Sequence, residues 1–161
     1  MEIEKKFLVK VLPEELYKYI KKDIEQGYLC LEPVVRIRKS DDKYILTYKS
    51  MPDENSSDVK VCDEIEVPLT KEGYYHLREK VDNNLIKKVR YIIPLLDGHT
   101  GELDIFDGVL KGLYFIEVEF ADEEDAKRFV PPDWFGDNVS GDRRYTNSFL
   151  SQCDSLDVFK V

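Results

Sequence analysis

The sequence predicts an α+β fold in which eight antiparallel strands close into a β-barrel, with short helices packed outside and a C-terminal closing helix. Segments of alternating polar and apolar residues recur along the 161-residue chain, and short turns join most of them, as in a sheet built from hairpins. Helical periodicity is confined to a few brief segments between these strands. Charged side chains occupy one face of nearly every strand, and eight strands are enough for a sheet to close around such a face.

The first half of the chain contains four predicted strands and one helix. The segment from Pro13 to Ile20 is predicted to be the helix, because proline stands near its start and acids precede lysines, and Gly27 ends it. Asp41-Asp42 provides a hairpin turn, and the polar residues 50–58 predict a loop. The strands are predicted at residues 1–10, 27–31, 34–39 and 44–49.

The second half adds four more predicted strands. A helix begins after Thr70, whose side chain can cap it, and a second helix spans 122–129, with acids in its first turn and bases in its last. Asp97-Gly98 forms a turn, and residues 143–150 form the closing helix. Because no repeat or linker composition is present, residues 1–161 are predicted to form one domain. The strands are predicted at residues 63–67, 85–93, 102–106 and 113–120.

The composition argues against several classes of partner. The net charge of −9 opposes general binding to nucleic acids or anionic membranes, because like charges repel. No apolar run is long enough to cross a bilayer and the N-terminus carries no apolar signal segment, so a cytoplasmic location is expected. Cys30, Cys62 and Cys153 show no CxxC spacing, and they predict neither a disulfide framework nor a zinc site.

Charges of one sign recur two residues apart on most of the predicted strands, which places both members of each pair on one face. A solvated sheet would favour opposite charges across neighbouring strands, and chance clustering on such a sheet is the alternative interpretation. The acidic pairs are Glu2/Glu4, Glu64/Glu66, Glu102/Asp104 and Glu117/Glu119, and the basic pairs are Arg36/Arg38 and Lys88/Arg90, with Lys6 and Lys49 as single bases.

An enclosed face of this kind predicts ligands of both signs, because buried charges need partners. Arginines two residues apart suit phosphate oxygens. Clustered carboxylates without His or Cys suit hard divalent cations such as Mg²⁺ or Mn²⁺. The pattern therefore predicts a metal-dependent site that handles phosphate groups.

The N-terminal motif Glu2-x-Glu4-x-Lys6 resembles the ExExK signature of the CYTH superfamily, the triphosphate tunnel metalloenzymes. The resemblance continues in order to about Leu150, and the segment from Pro132 to Gly136 is similar to the short bacterial branch of the superfamily. The further matching segments are Gly27-Tyr28-Leu29, Arg36-x-Arg38, Thr47-x-Lys49, Glu64-x-Glu66, Lys88-x-Arg90-Tyr91, Glu102-x-Asp104, Glu117-x-Glu119 and Asp142-Arg143-Arg144-Tyr145-x-Asn147.

The resemblance implies an eight-stranded tunnel that binds a small-molecule linear triphosphate with one or two divalent metal ions, Mg²⁺ or Mn²⁺. It places Glu2, Glu4 and Lys6 in the catalytic centre. The phosphate-binding residues that it implies are Lys6, Arg36, Arg38, Lys49, Lys88, Arg90 and, from the closing helix, Arg144. The metal-binding residues that it implies are Glu2, Glu4, Glu64, Glu66, Asp104, Glu117 and Glu119, with Glu102 as a further candidate.

Hydrolysis of inorganic triphosphate to diphosphate and phosphate is the leading functional hypothesis, because the chain is short and carries the closing-helix motif. The alternatives are a thiamine-triphosphatase or nucleoside triphosphatase, a class IV adenylate cyclase, and a non-catalytic module that binds polyphosphate or nucleotides. The sequence shows no catalytic Cys/His pair, no Ser/His/Asp set and no P-loop, which favours the metal-dependent route. Which triphosphate is used, which carboxylate is the general base and whether the chain forms a homodimer stay open at this point.

Overall fold

The computed structural model describes residues 1–50 and 58–160, so most of the loop predicted at 50–58 lies outside the described residues. These residues form ten strands in one antiparallel sheet and three short α-helices, none of which is long and apolar enough to cross a membrane. The helices are α1 (Lys71–Arg78), α2 (Glu123–Arg128) and α3 (Asn147–Leu150). The strands are β1 (Glu2–Val9), β2 (Ile20–Cys30), β3 (Val34–Ser40), β4 (Lys43–Lys49), β5 (Lys60–Cys62), β6 (Glu64–Pro68), β7 (Asp82–Pro94), β8 (Thr100–Phe106), β9 (Tyr114–Glu119) and β10 (Phe135–Asn138).

The strands are hydrogen-bonded in the order β10-β1-β9-β8-β7-β2-β3-β4-β6, and β5 pairs with β1 outside this path. The prediction of an antiparallel sheet is confirmed. Within the described part of the chain, however, hydrogen bonds do not close the sheet into the predicted eight-stranded barrel. The segment that could join its two ends is split at Asp63, because Lys60–Cys62 pairs with β1 whereas Glu64–Pro68 pairs with β4. Neither the pairing of β5 with β1 nor that of β6 with β4 is long enough to join the two edges of the sheet along their whole length.

The helix predicted from Pro13 to Ile20 is wrong. Only a 3₁₀ turn, Leu16–Lys18, forms there, and β2 follows at once. Residues from Ile20 to Gln26 pair with β7, from Ile92 back to Ile86, and these long-range hydrogen bonds override the local helical preference. A further strand that the sequence analysis did not predict, β10, follows α2 and pairs with the C-terminal half of β1.

The helices predicted after Thr70 and over 122–129 are confirmed as α1 and α2, and side chains cap both. Thr70 Oγ1 accepts a hydrogen bond from a backbone N–H in the first turn of α1, and an Asp122 carboxylate oxygen accepts one from Asp125. A 3₁₀ turn followed by α3 forms the closing helix predicted at 143–150, in a shorter form.

The larger apolar cluster lies on the outer face of the sheet, the face that carries Phe7 of β1. The segment that contains α2 and β10 covers it: the Phe7 ring centroid lies 5.9 Å from that of Phe129 and 5.1 Å from that of Phe135. The apolar rows of these strands therefore face outward, as the alternation predicts. On β6, by contrast, the predicted cover is not found, because Ile65 and Val67 are exposed.

A second apolar cluster lies on the opposite, inner face, which also carries Lys88. There Phe106 and Phe115 pack with their ring centroids 5.1 Å apart, and Ile86 and Leu150 are almost fully buried. Because Leu150 belongs to α3, the closing helix covers this part of the inner face. The inner face is thus charged along only part of its length, which the alternation of residues did not predict.

His99 joins the turn between β7 and β8 to α2. Its ring nitrogens lie 2.8 Å from Asp97 Oδ2 and 3.0 Å from Asp125 Oδ1. Burial lowers the pKa of His99, but the two carboxylates outweigh burial and raise that pKa above its ordinary value. The contribution of these two ion pairs to the free energy of unfolding is therefore fully present below the unfolded-state pKa of His99, about 6.5. This contribution is lost as the pH rises through the folded-state pKa.

We expect His99→Gln to lower the free energy of unfolding by about 0.5–1 kcal/mol at about pH 5.5, and by less at about pH 9. Urea denaturation at the two pH values measures the difference. His76→Gln, at an exposed position of α1, is the control and should show no such pH dependence. An equal effect of His99→Gln at both pH values would contradict the proposed contribution of the two carboxylates.

Candidate functional site

The strand register brings the predicted acids and bases onto the inner face of the sheet. Residues directly opposite each other in an antiparallel pair point to the same side. The like-charged pairs predicted from the alternation therefore share this face. The opposed residues are Glu4 with Glu119, Lys6 with Glu117, Glu117 with Glu102, Arg90 with Asp104, Thr47 with Arg36 and Glu66, and Lys49 with Glu64.

Lys49 contacts acids from two other strands. Its Nζ lies 2.7 Å from Glu2 Oε1 and 3.5 Å from Glu64 Oε2. Burial lowers the pKa of Lys49, but Glu4 and Glu2 outweigh it and hold that pKa above its usual range. Because β1 and β4 are not neighbours in the sheet, the contact between Glu2 and Lys49 shows that the sheet curves until its inner-face side chains meet. The charged part of the inner face is therefore concave.

The carboxylates on this part of the inner face are crowded. Burial and a neighbouring carboxylate raise the pKa of Glu4 to about 8. Burial and a hydrogen bond with Glu64 raise the pKa of Glu2, although Lys49 opposes them. Burial and nearby acids also raise the pKa of Glu119. Carboxylates in such surroundings either hold a proton or gain from a cation.

Asp104 is fully buried and contacts two bases. Its carboxylate lies 2.7 Å from Lys88 Nζ and accepts two hydrogen bonds from Arg90, at 2.7 and 2.9 Å. Arg90 also donates to Glu102 at 3.0 Å. Burial lowers the pKa of Lys88 to about 7, because the charge of Asp104 offsets it only in part. Asp104 and Glu102 are thus already bound to bases, and their roles as metal ligands stay predictions.

Two buried lysines also bind the closing segment, which is the 3₁₀ turn and helix α3 at residues 143–150. Lys6 Nζ donates to the backbone carbonyl of Tyr145 at 2.5 Å, and Lys88 Nζ donates to Asn147 Oδ1 at 3.1 Å. Lys6 Nζ also lies 3.4 Å from Glu117. Burial raises the pKa of Glu117, but Lys6 and other bases outweigh it and hold that pKa well below its usual range. The closing segment therefore contacts both the apolar and the charged part of the inner face.

The structure does not bring Arg144 to the inner face. Its guanidinium pairs with Asp142 at 2.6 Å in an exposed position and lies over the rings of Tyr145 and Phe159. Glu66 on β6 belongs to the inner face by register, but its side chain is exposed. The phosphate contact of Arg144 and the metal contact of Glu66 both stay predictions.

Arg36 and Arg38 differ from the other inner-face bases, because neither makes a salt bridge to any residue that the structure describes. Arg36 Nη2 donates to Thr47 Oγ1 at 3.4 Å, and Arg38 Nε donates to Gln26 Oε1 at 2.8 Å. Burial, followed by the charges of Arg36 and Arg90, lowers the pKa of Arg38. Two adjacent cations that have no counter-ion among the described residues are the strongest anion-binding feature of the inner face.

The sequence analysis assigned no role in this site to Gln26, Thr47, Tyr145 or Asn147, although the last three lie within the segments that match the CYTH superfamily. The alternation places Thr47 on the face of Lys49, and this signal could have identified it. Gln26 fell within the segment that the predicted helix occupied up to Gly27, so its strand face could not be assigned. Tyr145 takes part through its backbone carbonyl, which no side-chain pattern reveals.

The acids of the inner face supply the donor type that Mg²⁺ or Mn²⁺ prefers, which is carboxylate oxygen without His or Cys. Among the described residues, no three Asp, Glu, His or Cys side chains surround one ready metal position. The carboxyl groups instead lie in pairs, Glu2 with Glu64 and Glu4 with Glu117, in which a protonated member donates a hydrogen bond to the other. The donor set fits such a cation in its chemistry, because a cation would relieve the crowding that raises these pKa values.

The chain is similar to curated proteins and to solved structures, although no family model matches it. The inorganic triphosphatase of Nitrosomonas europaea is 36% identical over 154 residues, which cover 93% of this chain and 96% of that protein. The inorganic triphosphatase of Acetivibrio thermocellus is 38% identical over 154 residues, which cover 92% of each. The crystal structure of the inorganic triphosphatase NE1496 matches with a TM-score of 0.69 at 34% identity and covers 95% of both chains.

Proposed function

The chain belongs to the inorganic triphosphatases of the CYTH superfamily, and on this basis we propose that it hydrolyses inorganic triphosphate to diphosphate and phosphate on the inner face of its sheet. The observation that carries the proposal is the pair Arg36 and Arg38, which make no salt bridge within the part of the chain that the structure describes. A triphosphate is a linear polyanion, and its oxygens match guanidinium N–H groups in charge and geometry.

The other inner-face bases complete the proposed phosphate site by changing partners. Lys6, Lys49, Lys88 and Arg90 each have a carboxylate oxygen at a distance between 2.7 and 3.4 Å. At each of these bases, a phosphate oxygen would have to compete with the carboxylate oxygen that is already bound. Arg36 and Arg38 would bind phosphate without giving up a salt bridge. Arg36 and Arg38 should therefore contribute more to affinity than the bases that are already paired.

Mg²⁺ or Mn²⁺ would be held by the crowded carboxylates of β1, β6 and β9. When bound, such a cation supplies charge neutralisation for the phosphate oxygens and for the attacking water. The chain itself positions the phosphates with its arginines and lysines, and a carboxylate of the Glu2–Glu4 pair accepts the proton of the attacking water. The residues proposed to hold the cation are Glu2, Glu4, Glu64, Glu66, Glu117 and Glu119.

The same proposal includes closure of the inner face into a tunnel. β5 reaches β1 and β6 reaches β4, and the ion pair between Lys49 and Glu2 spans the concave face between them. The apolar cluster around Phe115 blocks one end beneath α3, so triphosphate would enter beside the exposed acids Glu66 and Glu119. The cytoplasmic location stays a prediction, and the oligomeric state stays open.

The proposal is tested by phosphate release from inorganic triphosphate, ATP and thiamine triphosphate, each measured with Mg²⁺, with Mn²⁺ and with EDTA. We expect metal-dependent release that strongly prefers inorganic triphosphate, because the inner-face contacts described above address phosphate and metal alone. EDTA should abolish phosphate release, and addition of either metal ion should restore it.

The other outcomes separate the alternatives. A preference for ATP or thiamine triphosphate would keep the site and replace the substrate. Binding of triphosphate without release from any of the three compounds would contradict the hydrolase assignment. An assay for cyclic AMP would then distinguish an adenylate cyclase from a binding module without catalytic activity.

A further inference from the structure

Two buried donors on the inner face have no hydrogen-bond partner among the residues that the structure describes. They are Nε2 of Gln26, whose side chain is fully buried, and Nε of Arg36. Buried N–H groups in folded proteins are almost always paired, with protein, with water or with a ligand. The two donors therefore call for an acceptor that the described residues do not supply.

The hydrogen bond to Arg38 fixes which way the Gln26 amide points. Gln26 Oε1 accepts from Arg38 Nε at 2.8 Å. Because a guanidinium nitrogen can only donate, the carbonyl oxygen of Gln26 must face it, and exchanging O and N would set two donors against each other. The Nε2 donor therefore points away from Arg38 and is available to another acceptor.

Both donors belong to the same part of the inner face. Gln26 of β2 lies directly opposite Arg38 of β3, and Arg36 stands two residues before Arg38 on β3. Gln26 and Arg36 are thus diagonal neighbours whose side chains point to one side of the sheet. Arg36, Arg38 and Arg90 make the surroundings positive. An anionic oxygen satisfies both donors and this charge, whereas water would satisfy only the donors.

We propose that Gln26 Nε2 and Arg36 Nε form an oxyanion subsite that binds a phosphate oxygen of the triphosphate. Gln26 has a second role as a positioning residue, because its Oε1 holds the Arg38 guanidinium on the inner face. This inference rests on the proposed function, and it adds a neutral amide to the arginines and lysines of the phosphate site.

The first test is the affinity of Gln26→Met for inorganic triphosphate, measured by calorimetry in EDTA so that only the groups of the chain contribute. Methionine has nearly the size of glutamine but no donor. We expect an affinity loss of about tenfold to hundredfold, as for removal of a hydrogen bond to a charged group. Wild-type affinity in Gln26→Met would overturn the inference.

A double-mutant cycle with Arg38→Met separates the two roles of Gln26. If Gln26 contacts the phosphate oxygen itself, Gln26→Met should lower affinity about tenfold further in the Arg38→Met background. No further loss in that background would mean that Gln26 acts only through Arg38, and the oxyanion subsite would be rejected.

Gln26→Glu provides an independent test should Gln26→Met fold poorly. Its carboxylate still accepts from Arg38, so the ligand-free protein should unfold at a higher temperature, while the added negative charge should weaken triphosphate binding more than Gln26→Met does. Gln152→Glu changes the same charge at an exposed position and should alter neither property. Unchanged affinity in Gln26→Glu would contradict the inference.

The wild-type protein distinguishes this inference from the proposed function. A wild type that neither binds nor hydrolyses inorganic triphosphate overturns both. A wild type that binds and hydrolyses it, together with Gln26 variants of unchanged affinity, overturns the oxyanion subsite alone.

Discussion

Glu4→Gln is expected to lower kcat for inorganic triphosphate by about 10²- to 10⁴-fold, the range found when a general base is removed, and to stabilise the metal-free protein. Glu4 is buried on β1 and hydrogen-bonded to Glu117, and glutamine keeps its size without the charge. The substitution removes a carboxylate that the proposed cation and the attacking water both need. Phosphate release measures the first effect, and urea denaturation in EDTA measures the second.

The stability effect follows from the pKa of Glu4, which burial and then the charge of Glu117 raise from 4.5 to about 8. The folded protein holds this proton more tightly than the unfolded chain, so the wild type loses stability as the pH rises between these two values. Glu4→Gln does not titrate there. The free energy of unfolding of Glu4→Gln should therefore exceed that of the wild type by an amount that grows with pH across this range. At its upper end the difference should be on the order of 1 kcal/mol or more.

Glu14→Gln is the matched control for this prediction, because it removes the same charge at an exposed position. It should leave both kcat and the pH dependence of stability unchanged. Unchanged turnover in Glu4→Gln would remove Glu4 from the catalytic set. Lost turnover together with lost stability would instead indicate that Glu4 supports the fold.

The strands that carry the site could be predicted where alternation and turn residues agree. Asp41-Asp42 separates two alternating segments, and β3 and β4 form there with Arg36 opposite Thr47. The period of two also places Glu4 and Lys6 on one face without any knowledge of their partners. The common face of the charged residues on these strands was therefore available from the sequence.

The N-terminal part of β2 could not be predicted, because its local pattern favours a helix and its pairing with β7 is long-range. This error has a functional consequence. Gln26 belongs to that strand, so the amide that faces Arg38 could not be recognised as part of the site. A local misassignment of secondary structure thus concealed a buried polar group.

The partners of each charge could not be predicted either. Which acid meets which base depends on strand stagger and on the curvature of the sheet, neither of which the alternation encodes. Asp104 therefore contacts Lys88 and Arg90, whereas Arg36 and Arg38 have no carboxylate partner among the described residues. This difference between paired and unpaired bases, invisible in the sequence, decides which variants should matter most for binding.

The double variant Arg36→Met/Arg38→Met is expected to lower the affinity for inorganic triphosphate by about 10²- to 10⁴-fold, since two hydrogen bonds to charged groups are lost. The ligand-free protein should keep its stability or gain some. Arg36 and Arg90 both lower the pKa of Arg38, so these cations repel one another. Calorimetry with inorganic triphosphate in EDTA measures affinity, and urea denaturation measures stability.

Lys127→Met/Arg128→Met is the control, because it removes the same charge from exposed positions of α2. It should change the affinity far less than the inner-face variant does, and a similar loss would mean that overall charge alone attracts the triphosphate. Full affinity in Arg36→Met/Arg38→Met would reject the inner face as the phosphate site.

Arg90→Met should behave in the opposite way and thereby test the distinction between paired and unpaired bases. Arg90 donates to Asp104 and Glu102, so its removal leaves the buried carboxylate of Asp104 without that partner and should destabilise the ligand-free protein. Arginines that only bind substrate and an arginine that also supports the fold then separate by the sign of their effect on stability. A destabilised Arg36→Met/Arg38→Met protein would place that pair in the second group, and its loss of binding would no longer identify a phosphate contact.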